Sequence, residues 1–253
     1  MLTQEQVSFF KENGYLIVDN FYTREQIAEY KAALEETRHA EGEHSFVHNQ
    51  GGPYSMYEQK VNLWRDFPKI RELTFDPRRA AMVKQLTDAT EVRLFHDHYL
   101  IKPPMDSRAS NWHQDQPAWP ISEVGPINCW IPFQDVTIQN GAMAYVAGSH
   151  RWGVVKYKAN RDDEQIEVEG KSSGETKVVA VPIQAGSFLF HHGLTLHYAY
   201  PNKTDQPRYA MTVIYLPDWT TYNGNRHPVT EGLHLTKGQR FNHDMFPVLT
   251  RTS

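Results

Sequence analysis

The second half of the chain constrains the fold most strongly, because short apolar runs alternate there with turn residues. Many residues of these runs are β-branched or aromatic. The runs cover 92–101, 126–134, 142–146, 178–183, 187–191 and 209–216. The turns are supplied by Pro103-Pro104, Asn140-Gly141, Gly148-Ser149 and Ala185-Gly186. This pattern predicts an all-β sandwich or barrel.

The beginning of the chain carries helix signals instead. Thr3 with Gln6, and Thr23 with Gln26, have the spacing of a capping box, in which each side chain bonds the other residue's backbone N–H. A helix is therefore predicted after each threonine. Gly14 suits the end of the first helix, because glycine tolerates the left-handed backbone conformation found there.

The remaining segments before the β region are less regular. Residues 15–18 predict a short buried strand, and the second helix is expected to run to about residue 38. Residues 40–57 are polar and rich in His and Gly, which predicts a loop, with a lid over a site as a further option. A third helix is predicted over 78–86.

These elements predict a mainly β protein with flanking N-terminal helices, organised as one domain over 1–253. A mainly helical layer is expected over 1–90, a β core over 91–218 and a C-terminal extension over 219–253. Residues 158–176 are charged and contain Gly and Ser, which predicts an exposed insertion.

Composition narrows the possible environments and partners. The net charge is −4, and the chain lacks a run of Lys and Arg, so we expect no nucleic-acid partner. No apolar run approaches the roughly 20 residues that span a bilayer, so no membrane association is expected. The single cysteine, Cys129, is typical of a reducing compartment. The sequence predicts a cytoplasmic protein, either a monomer or a homodimer.

The triplet His113-Gln114-Asp115 is the first candidate for chemistry. On an extended strand, side chains two residues apart point to the same face, so His113 and Asp115 are predicted to converge on one point. An imidazole and a carboxylate are two of the three ligands in the facial triad of non-haem Fe(II) oxygenases.

The third ligand is predicted among three later histidines, His191, His192 and His197. Arg208 follows His197 by eleven residues, across the turn at Pro201-Asn202. A strand, a turn and an antiparallel strand would place these two residues side by side. A guanidinium at that position offers a bidentate clamp for a carboxylate.

Together these features resemble the phytanoyl-CoA dioxygenase family of Fe(II)/2-oxoglutarate oxygenases. The matching landmarks occur in the family's order and extend from residue 2 to about residue 216. They are Leu2-Thr3 through Phe9-Phe10 to Gly14-Tyr15-Leu16, Ile101-Lys102-Pro103-Pro104, Trp112-His113-Gln114-Asp115, Trp130-Ile131-Pro132-Phe133-Gln134-Asp135, Asn140-Gly141-Ala142-Met143, Gly148-Ser149-His150, and His197 through Pro201-Asn202-Lys203-Thr204 to Arg208-Tyr209-Ala210.

The resemblance implies a double-stranded β-helix, a jelly-roll or cupin-like core, with an iron site inside it. It implies His113, Asp115 and His197 as ligands of Fe(II), with O2 and the cosubstrate 2-oxoglutarate taking the open positions. It further implies that Arg208 binds the distal carboxylate of 2-oxoglutarate. On this resemblance, His197 is preferred to His191 and His192 because its spacing to Arg208 fits the family.

Some residues are carried over more weakly. Lys102, Asn111 and Trp130 stand where family members often place cosubstrate or pocket residues. The family often has a small hydroxyl residue two positions after the distal histidine, where this chain has Ala199. Thr195 or Tyr209 is the alternative source of that hydrogen bond to the cosubstrate.

The implied activity is hydroxylation of a C–H bond in a small-molecule metabolite or natural-product intermediate, with release of succinate and CO2. An intact Asp115 favours hydroxylation over halogenation, since halogenating relatives carry a small residue there. Desaturation, epimerisation and ring formation use the same ligands and remain alternatives. A cupin-type metalloenzyme without 2-oxoglutarate and a non-catalytic jelly-roll binding module are the two rival classes. His96, His98, His150, His191 and His192 are expected to cap turns or to line the pocket by hydrogen bonding.

Overall fold

Two packed antiparallel sheets form the centre of the fold. The computed structural model describes residues 1–49, 56–105, 107–159 and 164–250. Its strands are β1 (Tyr15–Val18), β2 (Phe46–Asn49), β3 (Glu58–Val61), β4 (Val92–Lys102), β5 (Ser110–His113), β6 (Ile127–Pro132), β7 (Met143–Val146), β8 (Tyr157–Ala159), β9 (Ile166–Val168), β10 (Val178–Val181), β11 (Phe188–His192), β12 (His197–Ala199) and β13 (Arg208–Pro217).

The order of the strands confirms the predicted double-stranded β-helix. The larger sheet runs β1-β11-β6-β13-β4-β3-β2, and the smaller one runs β10-β7-β12-β5. Apart from the ribbon of β8 and β9, the strands from β4 to β13 are therefore divided between two facing sheets. The central strand β13 is buried along its whole length, because one face meets the helices and the other meets the space between the sheets.

Four helices within the described residues precede the β core, and the first two begin at the predicted capping residues. They are α1 (Gln4–Asn13), α2 (Arg24–His39), α3 (Pro68–Thr74) and α4 (Pro77–Thr87). Complete capping boxes open α1 at Thr3 and α2 at Thr23. Gly14 ends α1 with φ +76°, the left-handed conformation that made glycine suitable there.

The first ninety residues are less purely helical than predicted, because β1, β2 and β3 extend the larger sheet. Part of the predicted loop at 40–57 is strand, while 50–55 lie outside the described residues. Strand β3 was not predicted because its sequence is polar. Lys60 is buried there and donates to the carbonyls of Thr37 and Ala40 at the C-terminal end of α2, so a lysine occupies a position where an apolar residue was expected.

The insertion predicted at 158–176 contains the ribbon formed by β8 and β9, of which β8 is exposed. Residues 160–163 of that segment lie outside the described part of the chain. The C-terminal extension packs over one end of the cavity between the sheets. Its buried apolar side chains pack in one cluster with Phe95 of β4; they are Val229, Phe241 and Phe246.

Among the described ranges, no helix has both the length and the apolar character needed to cross a membrane. The described cysteine, Cys129, is buried and free. The division into one domain with these boundaries stays a prediction.

Asp97 of β4 is a buried carboxyl group on the sheet face that meets the helices. Its Oδ2 accepts from the Trp64 backbone N–H at 3.0 Å and from the Thr74 hydroxyl at 2.7 Å. Burial raises the pKa of Asp97 to about 7, although these hydrogen bonds lower it. The folded state therefore holds this proton more tightly than the unfolded chain does.

We expect Asp97 to make stability fall as pH rises from about 4 to about 7, because the unfolded carboxyl loses its proton first. Asp97→Asn removes the ionisation. The unfolding temperature of this variant minus that of the parent chain should therefore increase between about pH 5 and about pH 8. Differential scanning calorimetry measures the gap, with the exposed Asp19→Asn as control. A gap independent of pH would contradict the expectation.

Candidate metal centre

A cavity of about 280 Å³ lies between the inner faces of the two sheets. Trp130 and Arg208 line it from the larger sheet, and Met143 and His197 line it from the smaller one. The C-terminal extension closes part of the wall with Val229. The β-helix thus encloses a pocket into which side chains from both sheets project.

Three of the predicted ligands converge in this cavity. His113 of β5 and His197 of β12 are direct partners in neighbouring strands. Asp115 Oδ1 lies 3.5 Å from Nε2 of His113 and 3.7 Å from Nε2 of His197. The three ligand atoms lie within 4.8 Å of one another, a condition met by no other trio of His, Cys, Asp or Glu in the described ranges. Two imidazoles and one carboxylate in this arrangement form a facial triad.

The reason predicted for this convergence was wrong in one respect. Strand β5 ends at His113, so Asp115 does not share a strand face with it. Asp115 instead has helical backbone angles, φ −73° and ψ −39°, at the start of a 3-10 turn over Gln116–Ala118. This bend of the chain, rather than strand alternation, brings the carboxylate back beside the imidazole.

Hydrogen bonds to backbone carbonyls orient both imidazoles. His113 Nδ1 lies 2.7 Å from the carbonyl oxygen of Asn111, and His197 Nδ1 lies 2.9 Å from that of Thr195. A carbonyl only accepts, so each Nδ1 carries the proton and each Nε2 keeps a free lone pair. Both lone pairs are thus available beside Asp115, as metal ligation requires.

The other carboxylate oxygen of Asp115 is held by residues whose role the sequence did not reveal. Oδ2 lies 3.1 Å from Nε2 of His191 and accepts from the Asn128 amide at 3.0 Å. The hydroxyl of Tyr145 lies 3.1 Å from Nδ1 of His191, and its ring stacks on Tyr15 at 4.6 Å. These contacts leave Oδ1 to face the two histidine ligands.

The electrostatics of the centre favour an ionised Asp115 beside a neutral His197. Burial alone would lower the pKa of His113, but the hydrogen bond with Asp115 and its charge raise that pKa above its usual value. Burial alone would raise the pKa of Asp115, but the neighbouring His197 and hydrogen bonds with His113 and His191 hold it well below its usual value. Burial, together with the nearby His113, lowers the pKa of His197. Such a group of donors suits a divalent cation.

His191, the rival ligand in the sequence prediction, contacts Oδ2 of Asp115, so we expect it to orient that carboxylate rather than to bind the metal. We expect His191→Phe to weaken Fe(II) binding by about 10–100-fold, the usual cost of losing a hydrogen bond to a metal ligand. Calorimetric titration with Fe(II) under anaerobic conditions measures this change. His192→Phe is the matched control, because Nδ1 of His192 bonds the Leu194 backbone and lies outside the centre. Equal affinities for both variants would contradict the role of His191.

Arg208 opens β13 and is almost fully buried, with 2 % of its surface exposed. Its Nη1 donates to the Leu100 carbonyl at 3.4 Å, and its guanidinium lies 5.2 Å from the Trp130 ring. Burial lowers its pKa to about 9. No carboxylate within ion-pair distance accompanies it in the described part of the chain, and its buried Nε has no hydrogen-bond partner there. This cation therefore borders the cavity without a counter-charge from the described residues.

The sequence prediction placed His197 and Arg208 side by side in one ladder, and the structure separates them. Strand β12 belongs to the smaller sheet, whereas β13 pairs with β4 and β6 in the larger one. His197 and Arg208 therefore approach the cavity from opposite sheets. This arrangement leaves room for a ligand between them.

The more weakly predicted site residues behave differently from one another. Trp130 lines the cavity, and its buried Nε1 has no partner among the described residues. Lys102 is the register partner of Arg208 and is fully buried, but its amine donates to the carbonyls of Arg108 and Met56 and it does not line the described wall. Asn111 has an exposed side chain, and it contributes its carbonyl to His113.

Thr195 is positioned to support the centre from behind. Its hydroxyl donates to the Gly14 carbonyl at 2.7 Å, and its own carbonyl orients His197. The Tyr209 ring packs in the cluster between the helices and the larger sheet, away from the cavity. Ala199 does line the cavity, so the departure from the family pattern falls on the pocket wall.

Similar proteins agree with this geometry. The sequence model of the phytanoyl-CoA dioxygenase family matches residues 10–210. The ectoine dioxygenase of Bordetella parapertussis is 23 % identical over 238 residues, covering 85 % of this chain and 75 % of the relative. The phytanoyl-CoA dioxygenase of Arabidopsis thaliana is 22 % identical over 250 residues, covering 84 % and 88 % respectively.

Solved structures extend the likeness over nearly the whole chain. The α-ketoglutarate-dependent carbocyclase SnoK from nogalamycin biosynthesis superposes with a TM-score of 0.79 at 26 % identity, covering 98 % of this chain and 96 % of SnoK. The epimerase SnoN from the same biosynthesis gives 0.79 at 25 % identity, covering 97 % and 98 %. A further SnoN structure holds Fe³⁺ and α-ketoglutarate. The chain therefore belongs to the phytanoyl-CoA dioxygenase family and is a non-haem oxygenase that depends on iron and 2-oxoglutarate.

Proposed function

We propose that His113, Asp115 and His197 hold the iron, that Arg208 anchors 2-oxoglutarate, and that the enzyme oxidises a C–H bond of a small natural-product intermediate. The observation that carries this proposal is the buried Arg208 guanidinium, which has no carboxylate partner among the described residues and borders the same cavity as three convergent metal ligands. When bound, iron and 2-oxoglutarate supply the oxidation of that bond by O2, with release of succinate and CO2.

The unpaired polar atoms of the cavity support a carboxylate ligand beside Arg208. Besides Arg208 Nε, the buried Trp130 Nε1 and Thr212 Oγ1 have no hydrogen-bond partner among the described residues. Thr212 and Trp130 are register partners, and both line the cavity. A buried donor without a partner costs about 1–3 kcal/mol, so a ligand that accepts from these groups gains affinity there.

Gly141 lies outside the cavity wall and also supports a carboxylate site beside Arg208. Its φ is +100°, and a Cβ added there would lie 3.0 Å from Lys102 Cδ and 3.4 Å from Arg208 Nε. Glycine therefore leaves room for these two cationic side chains to lie against the turn. This packing holds the guanidinium in place before a carboxylate arrives, which reduces the entropy lost on binding.

Each remaining residue has a defined task in this scheme. Asp115 supplies the charge that balances the cation, while His191 and Asn128 fix its orientation. The enclosing sheets and the C-terminal extension keep bulk water away from the reacting bond. The pocket thus binds, orients and shields, and the cofactor carries the oxidation.

Hydroxylation is the outcome we propose, because Asp115 keeps the third ligand position filled. Carbocyclisation and epimerisation are the second candidates, and a specific observation favours them: SnoK and SnoN superpose over 97 % or more of this chain. We further propose, as sequence analysis predicted, a cytoplasmic monomer or homodimer without nucleic-acid partners. The mild charge and the single buried cysteine support these points.

Anaerobic titration of the Fe(II)-loaded protein with 2-oxoglutarate tests the proposed site. We expect a weak visible charge-transfer band that saturates with one equivalent of cosubstrate. Admission of air should then form succinate. A protein that binds Fe(II) but develops no band with 2-oxoglutarate would overturn the assignment of Arg208.

A further inference from the structure

Four histidines besides the proposed ligands and His191 line the cavity and have no task in the proposed function. One is the exposed His48 of β2, and the other three have rings that contact one another. His96 and His98 lie on β4, and His227 precedes the 3-10 turn Pro228–Thr230 in the C-terminal extension. We call them the imidazole patch. His96 and His98 are 5 % and 8 % exposed, so their polar nitrogens are withdrawn from bulk water.

A β-bulge brings the patch together. The pairing of β13 with β4 passes from Ile214↔His96 to Tyr215↔Leu94, which leaves Phe95 without a partner. As a result, the rings of Phe95 and His96 both contact His227, at centroid distances of 5.2 Å and 5.9 Å. Bulges of this kind redirect side chains and are frequent beside active sites.

Hydrogen bonds within the patch determine which nitrogens carry protons. His227 Nδ1 accepts from the Val229 N–H at 3.2 Å, so a neutral His227 carries its proton on Nε2. The Nδ1 atoms of His96 and His98 lie 3.3 Å apart, so one of them donates to the other. The donor of that pair is left with a bare Nε2, and the acceptor is left with Nε2–H. The patch therefore offers two donors and one acceptor.

The surroundings of the patch are uncharged. Among the described residues of the cavity wall, Asp115 and Arg208 are the charged ones, and the proposed function assigns both to iron and 2-oxoglutarate. Burial lowers the pKa of His98 and of His227 to about 4, so both are neutral near pH 7. A charged substrate group placed here would lose hydration without gaining a counter-charge.

Apolar side chains make up part of the same cavity wall. Phe46, Trp119, Val61, Ile214 and Val229 flank the patch. The cavity of about 280 Å³ lies near the lower end of the range of about 300–1,000 Å³ that is usual for ligand pockets. Aromatic and β-branched walls of this size suit one or two fused rings beside the cosubstrate.

We infer that the imidazole patch binds an uncharged, ring-bearing substrate through a hydroxyl and a carbonyl oxygen. This inference rests on the proposed function, because it presumes that Arg208 and the metal ligands are engaged by the cofactors. Two donors with one acceptor match a hydroxyl that both donates and accepts beside a carbonyl that only accepts. A second metal is not favoured, since the two Nδ1 atoms bond each other and no carboxylate of the described chain joins the patch.

A matched pair of probes tests the inference on the anaerobic protein loaded with Fe(II) and 2-oxoglutarate. The probes are 5-hydroxy-1-tetralone, which is uncharged, and 1-tetralone-5-carboxylate, which has the same skeleton with a negative charge. We expect calorimetry to show tighter binding of the hydroxyketone. His98→Phe and His227→Phe should each weaken it about tenfold, the cost of one hydrogen bond to a buried partner. His39→Phe, on the exposed last turn of α2, is the matched control.

The charge-transfer band recorded on the same samples distinguishes a failure of the proposed function from a failure of this inference alone. Absence of the band would overturn the proposed function and this inference with it. With the band intact in every variant, the inference alone fails if the carboxylate binds as tightly as the hydroxyketone. It also fails if neither probe binds, or if the patch variants bind the hydroxyketone as the parent protein does.

Discussion

His113→Ala and His197→Ala will each lose Fe(II) binding and turnover while keeping the fold. Each change removes one of three protein ligands, so the loss should exceed the 10–100-fold that is usual for an outer hydrogen bond. Fe(II) titration and succinate formation measure the two effects, and circular dichroism reports the fold. The fold should persist because both imidazoles border a cavity rather than fill the apolar core.

His192→Ala serves as the control for both variants, since this neighbouring histidine stands outside the cavity wall. We expect it to bind iron as the parent chain does. If His113→Ala or His197→Ala instead unfolds at ambient temperature, a structural role for that imidazole is favoured. His197→Gln, which retains a polar side chain in the buried position, then separates loss of ligation from loss of packing.

Arg208→Met should weaken 2-oxoglutarate binding about 30-fold or more. Loss of one partner of a buried charge-assisted pair costs about 2–5 kcal/mol, and about 1.4 kcal/mol corresponds to a factor of ten. Methionine retains much of the side-chain volume against Trp130, so packing changes little. Titration of the charge-transfer band gives the dissociation constant, with the exposed Arg151→Met as control.

The same variant makes a second prediction about stability that a merely structural arginine would not. Without 2-oxoglutarate, Arg208 is a buried cation without a counter-charge, so its removal should raise the thermal unfolding temperature of the iron-free protein. With 2-oxoglutarate present, the parent protein should gain stability by ligand binding and the variant should not. A variant less stable than its parent under both conditions would contradict the assignment.

Much of the fold followed from local patterns. The capping boxes at Thr3 and Thr23 predicted α1 and α2 because a capping box depends only on residues three apart. The apolar runs after residue 92 predicted the β core because alternating burial depends on neighbouring residues alone. Strand β3 escaped prediction because its Lys60 is buried through carbonyls of a distant helix end, which no local pattern reveals.

The candidate site was predictable only in part, for a related reason. The types and spacings of His113, Asp115, His197 and Arg208 indicated the chemistry through their resemblance to a family. Their actual placement depends on a bend after β5 and on two facing sheets, not on one strand face or one ladder. The supporting His191, 76 residues from Asp115 in the chain, had no spacing that linked it to that carboxylate.

The class of the protein follows from patterns within the sequence: a helical segment followed by a β core, with candidate ligands for iron and a candidate arginine for a dicarboxylate. The hydrophobic periodicity, the helix caps and the order of the motifs depend on residues close together in the chain, so they can be recognised from the sequence. Three features became visible only in the folded chain: Oδ1 of Asp115 faces the histidines, Arg208 has no carboxylate partner among the described residues, and His227 joins His96 and His98. These features arise from contacts between residues far apart in the chain, and burial together with neighbouring charges and hydrogen bonds gives them their electrostatic consequences.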